Sequence, residues 1–268
     1  MVTMSKIAAF LRIAGQDPSE AFYRLRAFTL ASLGISSPQS ASFPYEQSTL
    51  SNYCDILDRV FSSETSNILA EPALLSVREN VERRLAEVRQ NSPIAITQNA
   101  GDGLCDICYL ACRALRPAIV VETGVAHGVT SAYILAALER NARGHLYSID
   151  RPPLALHSDE FVGICIPDAL KAGHTLIRGD ARSKLPAILN SLGKVDMFVH
   201  DSDHSYSHMK FELGLARQHL QIPGVVISDD INLNPAFHEF VDGAKPTASL
   251  VMTRGDAEGG LSGVGVFT

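Results

Sequence analysis

The sequence predicts an α/β fold: a doubly wound, seven-stranded, mostly parallel sheet with a terminal antiparallel hairpin, preceded by an N-terminal helical extension. Three observations carry this. From about residue 104, short apolar β-rich runs alternate with helical stretches, a pattern that implies right-handed crossovers and a parallel sheet covered on both faces. The last two apolar runs are split by the glycine-rich stretch RGDAEGGLS, which suits a hairpin. Residues 1 to about 90 show helical periodicity and no such alternation.

The elements follow in order. Ala21–Leu33 has apolar residues at helical spacing, and Ser36–Ser48, with two prolines and five serines, reads as a loop. Pro72–Val88 is amphipathic, with Leu75, Val77, Val81, Leu85 and Val88 near one face. Buried strands are expected at Ala118–Thr123, His145–Asp150, His174–Arg178, Val195–His200 and Gly224–Asp229, and the hairpin at Ser249–Thr253 and Gly263–Phe267. Helices are expected at Thr130–Arg143, Ile166–Ala172, Lys184–Ser191, Tyr206–Leu220 and Pro235–Val241. The division is a helical extension over 1–95, as a cap or a dimer contact, and a Rossmann-like domain over 96–268.

Composition narrows the function classes. With 268 residues, 46% of them hydrophobic, the chain has material for a packed core. Its net charge of −6, with scattered basic residues, disfavours nucleic acid as a partner. Five cysteines, an odd number, argue against a secreted disulfide framework. No signal peptide and no apolar run of ~18 residues is visible. The expectation is a soluble cytoplasmic protein, with no membrane partner and a possible homo-oligomeric state.

The chemistry gathers at strand ends. The first strand runs into Glu122-Thr-Gly124-Val-Ala-His-Gly128-Val-Thr130, where two glycines let backbone approach a ligand and a helix N-terminus offers free N–H groups. Asp150 ends the second strand, where a carboxylate accepts ribose hydroxyls. Asp180 follows the third, in reach of an adenine amine. The spacing Gly-x-x-x-Gly departs from the dinucleotide fingerprint, and a P-loop lysine is absent. Asp201, Asp203, Asp229 and Asp230 follow the fourth and fifth strands. If those strands are neighbours, ~4.8 Å apart, their carboxylates fall within one cation's reach. Clustered carboxylates repel, and a hard divalent ion such as Mg²⁺ relieves this. The alternative for Asp229 or Asp230 is helix N-capping.

The motifs ETGVAHGVTS, SID, GDA, DMFVHDSDHSY and VVISDDIN resemble class I S-adenosylmethionine-dependent methyltransferases. More narrowly, they resemble the metal-dependent small-molecule O-methyltransferases of the catechol and macrolide-sugar type, over about residues 100–268. The resemblance implies S-adenosylmethionine as cofactor. Glu122, Gly124, Gly128 and Thr130 would fall on the methionine-binding turn, Asp150 on the ribose and Asp180 on the adenine. Asp201, which is also assigned to the cofactor and to catalysis, would bind Mg²⁺ or another divalent cation with Asp229 and Asp230. The acceptor would be a hydroxyl of a small molecule.

Among nine histidines, His204 is singled out as the catalytic base, standing where the catechol-type family places a lysine; a helix-start role is the alternative. His208 is expected at the surface, with a substrate contact as the alternative, and the ring of His127 is expected to matter less than its backbone. His238 is a weak candidate on the acceptor side. Cys105, Cys108 and Cys112 share one helix face and no second ligand pair exists for zinc, so core packing is expected. Two other functions are open: a catalytically silent adenosylmethionine-binding module, and a metal-dependent oxygenase on the same fold.

Overall fold

The computed structural model describes residues 4–32, 43–155, 157–253 and 259–268. Most of the expected loop at Ser36–Ser48 and much of the hairpin connection therefore lie outside the described residues. Five helices come first: α1 (Met4–Gln16), α2 (Pro18–Ser32), α3 (Leu50–Phe61), α4 (Thr65–Leu69) and α5 (Pro72–Val88). Before residue 90 no described residue forms a strand. Helix α6 (Asp102–Leu115) then leads into the sheet.

The sheet alternates with helices as β1 (Ile119–Thr123), α7 (Val129–Arg140), β2 (His145–Asp150), β3 (His174–Arg178), α8 (Ala181–Leu192), β4 (Val195–His200), α9 (Tyr206–His219), β5 (Leu220–Ser228), α10 (Ala236–Ala244), β6 (Ala248–Thr253) and β7 (Leu261–Phe267). Strand order is β3-β2-β1-β4-β5-β7-β6. The pairs among β1 to β5 are parallel and β7 runs antiparallel to β5 and β6. This is the expected seven-stranded sheet with its terminal hairpin.

Alternation along each strand builds a core on each face. Val120, Met197, Val199, Val225 and Ile227 pack with α6, α7 and residues of α3 and α5. Val121, Phe198 and Val226 pack with α8, α9 and α10. Two polar anchors fix the extension to the first core. The Tyr53 hydroxyl donates to the Ile107 carbonyl at 3.0 Å, and the Arg113 guanidinium grips Glu71, at 2.6 Å for Nη2. Cys105, Cys108 and Cys112 are buried thiols of α6, and burial pushes each well up.

Several boundaries differ from the sequence reading, three of them with a local cause. The stretch Ile166–Ala172 forms a 3-10 helix, Asp168–Gly173, because Pro167 sets its entry and the segment is too short for stable α-helical turns. Helix α8 begins three residues early because Asp180 caps it, accepting from the Arg182 amide at 3.0 Å. Strand β5 begins at Leu220, directly after α9; its pairing with β4 shifts between Val195 and Met197, which absorbs the extra residues.

Candidate active site

The register of the sheet gathers the site. Thr123 lies opposite both Ile149 and His200, and His200 opposite Ser228. Beyond these pairs the ladder continues by one bond on each strand. Gly124 donates to the Ile149 carbonyl at 2.8 Å, Asp201 to Thr123 at 2.8 Å, Asp229 to His200 at 2.9 Å and Gly179 to Asp150 at 2.9 Å. The polar residues after each strand thus rise side by side at the carboxyl edge, where open α/β sheets bind ligands. A cavity of about 540 Å³ opens there, and Gly124, Asp150, Asp180, Asp201, His204 and Asp230 line it. Arg24 from α2, with Ile94, Thr97 and Gln98 from the segment before α6, completes the wall.

Gly124 has a φ of +84°, and a Cβ there would stand 1.8 Å from the Asp201 carbonyl oxygen. The glycine is required by the chain's own β4 end, not only by an incoming ligand. Gly128 caps α7 at φ +84°, and its Cβ would meet the Gly163 backbone at 2.7 Å. Asp150 holds the turn between them: one carboxylate oxygen accepts from the amides of Val125 at 2.9 Å and Ala126 at 3.1 Å. The other oxygen makes no hydrogen bond and lies 3.5 Å from the Arg178 guanidinium. Burial raises the Asp150 carboxyl above the usual range despite the two amides and Arg178. Asp180 divides its oxygens between the cap of α8 and an ion pair with Arg151 at 2.9 Å.

Glu122, Gly128 and Thr130 lie beneath this surface and are not in the cavity wall. Glu122 is fully buried, and one of its oxygens accepts from Ser131 at 2.6 Å and Ser148 at 2.7 Å. The other has no hydrogen-bond partner, and burial pushes the carboxyl up to about 8.

Across the cavity, one ligand atom each from Asp201, His204 and Asp229 lies within 4.8 Å of the others. The structure thus draws the His204 ring into the cluster. Asp230 sits on its far side: its carboxylate is 3.1 Å from His204 Nδ1, while Nε2 lies 3.6 Å from Asp201. Burial opposes a charge on this ring, but the carboxylates of Asp201, Asp230 and Asp229 outweigh it and raise the imidazole to about 10. Asp229 is buried and accepts from the Ser262 hydroxyl at 2.9 Å. Asp230, at φ +48°, precedes the 3-10 turn Ile231–Leu233 without a side-chain cap bond, so capping does not explain it. Two carboxylates and an imidazole fit a divalent cation.

Other residues fall differently from their sequence reading. His208 is 5% exposed and lines the cavity rather than the surface. The His127 ring is buried, with Ser92 at 2.8 Å and Asn99 at 3.0 Å on its two nitrogens, so it ties the segment before α6 to the glycine turn. His238 stacks on Phe43 and pairs with Asp242, away from the cavity wall. Sequence reasoning missed Glu212, which accepts from His200, His208, Thr123 and Ser202. Its only sequence signal is the i, i+4 spacing from His208 on the inward face of α9.

Comparison with known proteins bears on the fold. Residues 121–231, from β1 to the turn after β5, match the family model described as a methyltransferase domain. No curated protein matches the chain. Among solved structures, the O-methyltransferase TomG from Streptomyces achromogenes, involved in tomaymycin synthesis and bound to SAM, is 17% identical with a TM-score of 0.52, over 81% of this chain and 96% of that one. The O-methyltransferase from Bacillus cereus in complex with SAH is 13% identical with a TM-score of 0.51, over 80% and 97%. The chain carries the class I fold of S-adenosylmethionine-dependent methyltransferases that its motifs resemble.

Proposed function

We propose that the protein transfers a methyl group from S-adenosylmethionine to a hydroxyl of a small molecule, assisted by Mg²⁺ or another divalent cation. One observation carries this reading. The Gly124 turn and Asp150 face the same cavity as Asp201, His204 and Asp230, so groups suited to an adenosine and groups suited to a cation share one space. Asp150, in the cavity wall, would meet the ribose hydroxyls, and Asp180 would stand at the adenine end beside Arg151. The sulfonium of S-adenosylmethionine supplies an electrophilic methyl. Asp201, Asp229 and Asp230 would hold the cation, which would supply Lewis acidity that lowers the pKa of an acceptor hydroxyl, and His204 would be left as the base.

The chain's own residues then align and move a proton. Asp230 holds Nδ1 of His204, which fixes the ring and leaves Nε2 facing Asp201. From there Nε2 takes the hydroxyl proton as the acceptor oxygen attacks, once the ring has entered its neutral form. The segment Ile94–Asn99, pinned by His127, closes the wall and keeps water out, with the helical extension serving as a cap.

A screen of sugar, phenol and polyketide hydroxyls, read as adenosylhomocysteine release, tests the reading. Methyl transfer should stop in a strong chelator while cofactor affinity is kept. His204→Ala should lower turnover by ~10²–10⁴-fold if it is the base. Full activity in the chelator rejects the cation, and full activity of His204→Ala at neutral pH rejects the base. The oxygenase alternative is less favoured because that chemistry uses two histidines and one carboxylate, whereas this cluster has one histidine and two carboxylates. Cofactor binding without turnover on any hydroxyl would favour the silent module.

A further inference from the structure

We propose that Glu212 is the positioning residue of the site: from α9, outside the cavity, it fixes Asp201 by binding the residues on either side of it. Glu212 is fully buried and absent from the cavity wall. One of its oxygens accepts from His200 Nδ1 at 2.6 Å and the Thr123 hydroxyl at 2.5 Å. The other accepts from the Ser202 hydroxyl at 2.9 Å and His208 Nε2 at 2.7 Å.

Three of these four donors set the frame around Asp201. His200 and Ser202 flank it in the chain, and the Thr123 carbonyl receives its amide. The fourth donor, His208, stands in the cavity wall. A carboxylate has about four lone-pair sites, so these donors saturate it. Asp201 is the first residue past β4, and the chain from there to Ser205 has no regular structure. Beyond the ladder nothing repetitive holds a backbone in place. A carboxylate with donors on both sides of Asp201 supplies the missing restraint. An apolar side chain would pack α9 on β4 without the desolvation cost of a buried charge, but it would leave the position of Asp201 open. Partners behind a metal ligand orient it in this way.

The experiment compares the full-length protein with Glu212→Gln, Glu212→Asp and Ser202→Ala. Amide hydrogen exchange and Mn²⁺ titration by calorimetry are the readouts, with adenosylmethionine affinity as reference. In Glu212→Gln, amides of residues 201–205 should exchange faster while those of β1, β2 and β3 keep their protection. Mn²⁺ affinity should fall ~10–100-fold with little change toward adenosylmethionine. Glu212→Asp should recover part of both losses, and Ser202→Ala should show the same pattern at smaller amplitude. Faster exchange spread over β1, β4 and α9 without rescue by Asp would make Glu212 a packing residue and overturn the proposal. Unchanged exchange at 201–205 would overturn it as well. If Glu212→Gln does not fold, Ser202→Ala decides. The Mn²⁺ arm rests on the cation reading above. If the unaltered protein binds no Mn²⁺, that reading falls and the exchange arm alone judges Glu212.

Discussion

Replacing Glu122 with glutamine should stabilise the protein increasingly as pH rises. The carboxyl is fully buried, one oxygen is held by Ser131 and Ser148, and the other meets no donor. Desolvation holds it at about 8 in the fold, against an ordinary 4.5. A raised carboxyl pKa stabilises fully below the unfolded value, and that contribution is lost as pH rises through the folded one. Between pH 4.5 and 7 the unfolded chain releases a proton that the folded chain keeps. At ~1.4 kcal/mol per unit this removes roughly 3 kcal/mol by pH 7. Glutamine keeps an acceptor for the two serines and has no proton to release. Its stability relative to the parent should therefore climb by roughly 3 kcal/mol between pH 4.5 and 7, to be read from urea unfolding midpoints at each pH. Other titrating groups cancel in the difference. Parallel stability profiles for the two proteins across pH 5–8 would refute the assignment of Glu122 as a carboxyl kept neutral by burial.

Three further outcomes are expected. Gly124→Ala combines a left-handed backbone with a Cβ at 1.8 Å from a carbonyl oxygen, so urea titration should show a loss of more than ~3 kcal/mol; a midpoint like the parent's would deny the contact. Asp150→Asn keeps an acceptor for the Val125 and Ala126 amides but loses the charge, and calorimetry should show adenosylmethionine binding weakened by ~1.5–3 kcal/mol; unchanged affinity rejects the ribose assignment. Asp180→Asn keeps the α8 cap and Asp180→Ala removes it, so only alanine should lower thermal stability, by ~1 kcal/mol, while both should weaken cofactor binding through the lost Arg151 pair.

The fold was legible because its signals are local. Short apolar runs such as Val195–His200 and the helical spacing of Tyr206–Leu220 are written within a few residues, and the alternation of such runs implies the sheet. The carboxylates at strand ends were legible for the same reason, since a parallel sheet brings consecutive strand ends to one edge. What escaped depends on contacts between distant positions. Glu212 matters through Thr123, 89 residues away. Gly124 is constrained by the Asp201 backbone, which the residues ETGVAHG do not announce. That the His204 ring would lie between Asp201 and Asp230 was not legible, because ring direction after β4 depends on where the backbone turns at Asp230, a left-handed conformation that sequence does not specify. His208 was expected outside, although a helix one turn from a strand end can direct a side chain inward.

The contact between Gly124 and Asp201 joins two sets of residues with separate duties. Everything proposed for adenosine comes from the chain before residue 181, and the cation cluster comes from residues 201 to 230. On that proposal, the loops around the second set could vary without disturbing the first. The exception is the place where a glycine lies against a carbonyl with no room for one more carbon. Any drift of the β4 end toward a new acceptor is registered there by the turn on the donor side. Selectivity in such a molecule can wander only along paths that leave this one spacing intact.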